Sequence, residues 1–78
     1  MQGRRLMLTV DARGFSCPEP VIQSQNGLKM VQVGEQVEVL VETVTSRENV
    51  RRMAENKGHL VTVEVMDDGF RLIITRQK

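Results

Sequence analysis

Hydrophobic residues alternate with polar ones in four short segments of the chain, and a period of two is typical of half-buried β-strands. The predicted strands span Arg5 to Val10, Gln36 to Glu42, Leu60 to Val65 and Phe70 to Thr75. In the last three, the residues expected to face inward are Val37, Val39, Val41, Val61, Val63, Val65, Phe70, Leu72 and Ile74. A hairpin turn at Asp67-Asp68-Gly69 is expected to join the last two strands.

The first helix is expected to begin at Pro18 and to run to about Met30. Proline is tolerated in a first helical turn because the amide that it lacks has no intrahelical partner there. Asn26-Gly27 interrupts this helix with two poor helix formers, so it either depends on packing or ends early with Gly27 as its C-terminal cap. Its buried side is expected to hold Val21, Ile22, Gln25 and Leu28.

The second helix has clearer signals at both ends. Thr45 and Glu48 have the spacing of a capping box, and Gly58 is a typical stop residue. Val50, Met53 and Ala54 recur between them at helical spacing.

The predicted element order is β-α-β-α-β-β, within one domain covering residues 1–78. Two successive crossovers in the same direction leave both helices on one side of the sheet. The fold class is therefore an α/β (α+β) two-layer sandwich, in which two helices cover one face of a four-stranded mixed sheet. The strand residues on the opposite face are mainly polar, as expected for a sheet covered on one side.

Four hydrophobic residues nevertheless fall on that open face: Met7, Leu40, Leu60 and Ile73. A continuous exposed apolar patch often marks an association surface, so the open face is a candidate homodimer surface or partner surface. Scattered surface hydrophobic residues are the alternative interpretation.

Composition limits the core and the partners. Hydrophobic residues make up 40% of the 78 residues, but there are two phenylalanines and no tyrosine or tryptophan, so the core must be aliphatic. Direct nucleic-acid binding is not expected, because a stacking platform needs aromatic faces along a basic groove. Eleven basic and ten acidic residues are mixed along the sequence, which indicates no long-range field.

The chain contains one cysteine, Cys17, and one histidine, His59. A single cysteine closes no intramolecular disulfide, and the pair is too small for a zinc site, so no metal or other cofactor is expected. His59 follows Gly58 and is interpreted as a surface residue without a catalytic role. No segment has the length of a membrane span or the features of a signal peptide, so a cytoplasmic protein without membrane contact is predicted.

The candidate chemistry lies in Asp11 to Pro20, where Cys17 precedes the first helix. The positive end of the helix dipole and the first-turn amides favour a thiolate there, which lowers the thiol pKa. Pro18 and Pro20 are expected to orient the sulfur, while Glu19 favours the helix start. The alternative is that Cys17 is a buried small hydrophobic residue, as lone cysteines often are.

Three residues of the preceding turn have candidate roles. Gly14 is the expected turn residue, and Asp11 is expected to accept local hydrogen bonds. Arg13 either pairs with Asp11 or stabilises the thiolate.

The strand, the Asp-x-Arg-Gly turn and the Cys-Pro-Glu-Pro helix start together resemble the TusA/SirA-like sulfur-carrier family, whose signature is Cys-Pro-x-Pro. Cys17, Pro18 and Pro20 match the signature, and the stretch from Ser46 to Leu60 is more similar to the YedF-like branch. The resemblance implies that Cys17 carries sulfur as a persulfide. The sulfur would come from a cysteine desulfurase or another sulfurtransferase and pass to an acceptor sulfur-relay protein. Such a protein is a carrier rather than a stand-alone turnover enzyme.

Other functions remain open at this point. The YedF-like branch is associated with selenium metabolism, so selenium delivery is one alternative. Another is a non-catalytic regulatory or binding module in which Cys17 only caps a helix. Direct RNA binding is a third, and the balanced charge and missing aromatic residues argue against it.

Overall fold

The structure is a computed structural model that describes residues 8–16 and 18–78. Its elements follow the predicted order and confirm the predicted fold class. They are β1 (Leu8–Asp11), α1 (Glu19–Met30), β2 (Gln36–Val41), α2 (Val44–Asn56), β3 (Leu60–Met66) and β4 (Gly69–Thr75). The part of the predicted first strand before Leu8 lies outside the described residues. Among the described residues, no helix is long and apolar enough to cross a membrane.

The four strands form one mixed sheet in the order β1-β2-β4-β3. β1 pairs in parallel with β2, and β4 pairs antiparallel with both β2 and β3. β1, β2 and β3 therefore run in the same direction, so their carboxyl ends lie at the same end of the sheet. The turn that follows β1 lies at this end.

The core lies between the sheet and the two helices and is aliphatic, as predicted. Alternate residues of the two central strands are fully buried and meet the buried face of α2. The core includes Val37, Val39, Val41, Leu72 and Ile74 from the strands and Val50, Met53 and Ala54 from α2. Val65 does not follow the pattern: it is 79% exposed on the edge strand β3, next to the hairpin.

α1 runs without a break through Asn26-Gly27, so the alternative in which it ends at Gly27 is wrong. A Cβ atom added at Gly27 would lie 2.8 Å from Val10 Cγ2, because the helix approaches the sheet closely there. The predicted face of α1 is partly wrong: Leu28 is buried as predicted, but Ile22 is exposed. The buried residues of α1 are Pro20, Ser24, Gly27 and Leu28.

α2 begins two residues earlier than the predicted capping box. Thr43 is the N-cap, and its Oγ1 accepts a hydrogen bond of 3.1 Å from the Ser46 amide. Glu48 instead pairs with arginines of its own helix. Gly58 ends the helix as predicted, with a positive φ and the two backbone bonds of a Schellman motif, from Gly58 to Glu55 and from His59 to Ala54.

The open face of the sheet carries a polar network. Thr9 Oγ1 donates to Glu38 at 2.8 Å, and Arg71 bridges Glu38 and Glu64. Charged residues thus stand directly beside two members of the predicted apolar patch, since Arg71 pairs with Leu40 in register and Glu38 with Ile73. Met7 lies outside the described residues. The patch is interrupted, and a homodimer through this face stays a prediction.

The free energy of unfolding is expected to depend on pH in the acid range because of Glu38. Hydrogen bonds from Arg71 and, secondarily, Thr9 lower the pKa of its carboxyl group. A carboxyl group with a lowered folded-state pKa stabilises the fold above its unfolded pKa of about 4.3 and loses that contribution as pH falls through the folded value. Glu38→Gln should therefore cost about 1 kcal/mol at neutral pH and less at pH 3. Urea unfolding at both pH values tests this, and an equal cost at each would contradict it.

Candidate functional site around the start of the first helix

The turn after β1 is fixed to the end of β2. Ala12 is buried, and its amide donates to the Leu40 carbonyl at 2.9 Å, which continues the pairing beyond β1. Gly14 has a φ of +86°, a conformation that favours glycine, and its amide donates to Glu42 Oε1 at 2.6 Å. The Phe15 amide donates to the Ala12 carbonyl at 3.3 Å. The backbone amides of Ala12, Gly14 and Phe15 are therefore all hydrogen-bonded in the turn that leads to Ser16.

Asp11 and Arg13 form a bidentate ion pair on this turn. Arg13 Nε and Nη2 each lie 3.0 Å from a different carboxylate oxygen of Asp11, which also accepts the Arg13 amide at 3.1 Å. Arg13 Nη1 lies 3.4 Å from Asp68 in the β3–β4 hairpin. The hydrogen bonds from Arg13 lower the pKa of Asp11, and those with Asp11 raise the pKa of Arg13. Stabilisation of a thiolate by Arg13 stays a prediction.

The start of α1 lies one residue beyond its predicted position. Pro18 is the N-cap rather than the first helical residue, and Cys17, directly before it, lies outside the described residues. The Glu19 amide donates to the Ser16 carbonyl at 3.0 Å, and Pro20 has no amide hydrogen. Two first-turn positions are thus unavailable for binding an anion, so the effect of the helix start on the thiol is expected to be smaller than four free amides would give.

Pro20 anchors this helix start to the rest of the molecule. Its ring is buried, and its carbonyl accepts a hydrogen bond of 2.6 Å from Ser24 Oγ inside the helix. By contrast, Pro18 and Glu19 are exposed, as is Ser16. The segment around the cysteine position therefore combines an exposed outer side with one firmly packed proline.

The first turn of α2 also borders the site, which the sequence did not indicate. The gap between the two helix starts, bordered by Pro20, Val21, Ser46 and Asn49, is too small to hold a water molecule. Beside it lies an open cavity of about 360 Å³. The cavity is lined by Phe15, Ser16, Thr43, Thr45 and Ser46. Four of the five lining residues carry hydroxyl groups, and three of them cluster in Thr43–Ser46, which is the signal that the sequence offers for this part of the site.

The charges are partly segregated in the fold, although they are mixed along the sequence. The carboxyl ends of the three parallel strands and the start of α1 carry acidic residues: Asp11, Glu19, Glu42, Asp67 and Asp68. The opposite end, where both helices finish, carries the basic residues Lys29, Lys57, Arg76 and Lys78, together with the acidic residues Glu35 and Glu55. The cysteine end of the molecule is therefore predominantly acidic.

Comparison with known proteins gives consistent matches. Residues 8–76 match the family described as Sulfurtransferase TusA. A "putative sulfur carrier protein" of Archaeoglobus fulgidus is 38% identical over 73 residues, covering 92% of this chain and 100% of that protein. A protein of the same description from Methanocaldococcus jannaschii is 34% identical over 71 residues, covering 90% and 95%. The crystal structure of a SirA-like protein from Desulfitobacterium hafniense superposes with a TM-score of 0.84 at 35% identity, covering 92% and 100%.

Proposed function

Because this chain belongs to the TusA sulfurtransferase family, we propose that it is a cytoplasmic sulfur carrier that holds sulfur as a persulfide on Cys17. The donor is a cysteine desulfurase or another sulfurtransferase, and the acceptor is a sulfur-relay protein. The observation that carries the proposal is the sequence Cys17-Pro18-Glu19-Pro20, in which the exposed Pro18 is the N-cap of α1.

The transfer needs a single thiol on this chain. The Cys17 thiolate attacks the outer sulfur of a donor persulfide, the bond between the two donor sulfurs breaks, and the donor leaves as a thiolate. An acceptor thiolate then attacks the outer sulfur on Cys17, and Cys17 leaves as a thiolate. Each step exchanges one sulfur–sulfur bond for another, so it requires no external oxidant or reductant.

The surroundings of the segment support this role. Ser16, Pro18 and Glu19 are exposed, so a partner's sulfur has access to the segment from solvent. The positive end of α1 favours the thiolate that attacks and departs, while nearby Glu19 opposes it by charge. The Glu42 carboxylate holds the preceding turn through the Gly14 amide.

The acidic end of the molecule supports a further detail of the proposal. Glu42, Asp67 and Asp68 lie at the same end as the turn that leads to Cys17. Electrostatic complementarity favours partners that present a basic surface around their own reactive sulfur. A partner with an acidic surface there would meet like charges.

Incubation with a cysteine desulfurase and cysteine tests the proposal. We expect a mass gain of one sulfur atom in the intact protein, which disappears after a thiol reductant. Cleavage after Arg13 and Lys29 should release the peptide 14–29 with the added sulfur, because this peptide contains the only cysteine. Protein first alkylated with iodoacetamide is the control and should gain no sulfur. Absence of sulfur from peptide 14–29 of unblocked protein, under conditions that load another carrier, would contradict the proposal.

A further inference from the structure

A basic cavity lies at the end of the molecule where both helices finish. Its volume is about 180 Å³, and its charged or titratable lining residues are Lys29, Lys57, His59, Arg76 and Lys78. None of its lining residues carries a carboxylate side chain. The cavity is lined by α1 residues from Gln25 to Lys29, so it begins about 9 Å along the helix axis from Glu19, at the start of α1. It is distinct from the proposed sulfur site.

The basic residues of the cavity differ from most others in the described part of the chain. Arg13, Arg47, Arg51 and Arg71 each form ion pairs with nearby carboxylates. Lys29, Lys57, Arg76 and Lys78 form no ion pair with a described carboxylate. Arg76 donates to the main-chain oxygens of Lys78, Leu28 and Val31, whereas the three lysines have no described carboxylate side chain as an ion-pair partner.

Hydrogen bonds hold the walls of the cavity in place. Arg76 Nη1 donates to the Leu28 carbonyl at 3.1 Å and to Val31, at the end of α1. The Gln77 amide donates to His59 Nδ1 at 3.0 Å. Neutral His59 consequently carries its proton on Nε2, which leaves this nitrogen as a donor. The Lys78 side chain passes over Gly58, where an added Cβ would lie 2.9 Å from Lys78 Cε.

Neutralisation of the two helix dipoles does not account for so much positive charge. A helix carboxyl end is equivalent to about half a negative charge. The last carbonyl groups of α2 already accept hydrogen bonds from the amides of Gly58 and His59. Those at the end of α1 accept hydrogen bonds from the Arg76 guanidinium. Three lysines remain beyond these contacts.

We propose that this cavity binds the phosphate group of a small anionic ligand. Arginine and lysine side chains are the usual partners of phosphate, and several convergent cations match a dianion better than a single carboxylate. The cavity is smaller than the roughly 300 Å³ at which pockets for drug-sized ligands begin, so it fits one phosphate group rather than an entire nucleotide.

His59 provides a direct reporter. Burial, and then the charges of Arg76, Lys57 and Lys78, lower its pKa. Lys29, on α1, adds to the positive charge that lines the same cavity. An anion bound among these residues stabilises the imidazolium and raises the pKa of His59.

NMR titration of the full chain with inorganic phosphate and pyrophosphate tests the proposal. We expect saturable shifts at the His59 ring and the Gln77 and Lys78 amides, with a Kd of roughly 1 mM for a solvent-open site. The pKa of His59 should rise by about 0.5 or more when phosphate is present. Sodium chloride at matched ionic strength is the control and should produce neither effect.

A double variant, Lys29→Gln with Lys57→Gln, should weaken phosphate binding about tenfold or more, since each removes a charge-assisted contact. Arg52→Gln is the matched control, because Arg52 is exposed on α2 and does not line the cavity. Equal responses to phosphate and chloride, or no loss in the double variant, would overturn the proposal. A response to a single-stranded oligonucleotide but not to phosphate or pyrophosphate would also overturn it, in favour of a nucleic-acid backbone.

Discussion

Cys17→Ser is expected to abolish sulfur loading completely while leaving the fold intact. A serine oxygen cannot form a persulfide, and the chain has no second cysteine. The packing at the start of α1 is made by Pro20, and the N-cap is Pro18, so the substitution changes neither. The intact mass after incubation with a desulfurase should show no added sulfur. The thermal unfolding midpoint should remain within about 4 °C of the wild type, as for a typical surface substitution.

Ser16→Ala is the matched control for this experiment. It removes a hydroxyl group next to Cys17 but keeps the Ser16 carbonyl that accepts the Glu19 amide, so loading should persist. A Cys17→Ser protein that still gains reductant-sensitive sulfur would contradict a persulfide on Cys17. Retained biological function in that variant, without loading, would favour the binding-module alternative.

The alternation of hydrophobic and polar residues was sufficient to predict the strands and most of the core. Val37, Val39 and Val41 are buried as predicted, and so are Leu72 and Ile74. The position of β4 between β2 and β3 was not predicted, because alternation assigns a residue to a face but does not specify a strand's neighbours. Val65 shows the same limit: it lies on the predicted face of the sheet, but it is exposed because β3 is an edge strand.

Small residues explain why the buried face of α1 was only partly predicted. Large side chains such as Ile22 dominate a hydrophobic pattern, whereas the helix meets the sheet through Gly27 and buries Ser24. Ser24 is satisfied by the Pro20 carbonyl, so its burial leaves no hydroxyl group without a partner. A hydrophobic pattern does not detect a helix–sheet contact that is close because glycine has no side chain.

The candidate site was predicted only where its residues are adjacent in the sequence. Asp11, Arg13 and Gly14 lie in one turn, and the prolines follow closely. The roles of Glu42 and of the α2 start depend on strand order, which brings the ends of β1 and β2 together. The same topology brings together Lys29, Lys57, Arg76 and Lys78, which are far apart in the sequence, so the basic cavity is evident only in the folded structure.

Gly69→Ala is expected to cause the largest loss of stability among the substitutions considered. Gly69 has a φ of +154°, and an added Cβ would lie 2.3 Å from the Val41 carbonyl oxygen and 3.1 Å from Glu42 Cα. Both obstacles are backbone atoms, and Val41 is itself held by strand pairing with Phe70, so neither moves easily. Overpacking and backbone strain together should cost about 3–5 kcal/mol.

Such a loss is a large part of the total for a small domain, which is about 4–12 kcal/mol at this chain length. Urea unfolding should show a midpoint lowered by more than about 1 M with an unchanged slope. Gly34→Ala is the matched control, since Gly34 has a φ of +94° but no atom lies within 4 Å of an added Cβ. Gly34→Ala should cost only the strain of a positive φ at a non-glycine residue, about 1 kcal/mol. Equal losses in the two variants would show that the contact between Gly69 and Val41 does not limit the packing of β4 against β2.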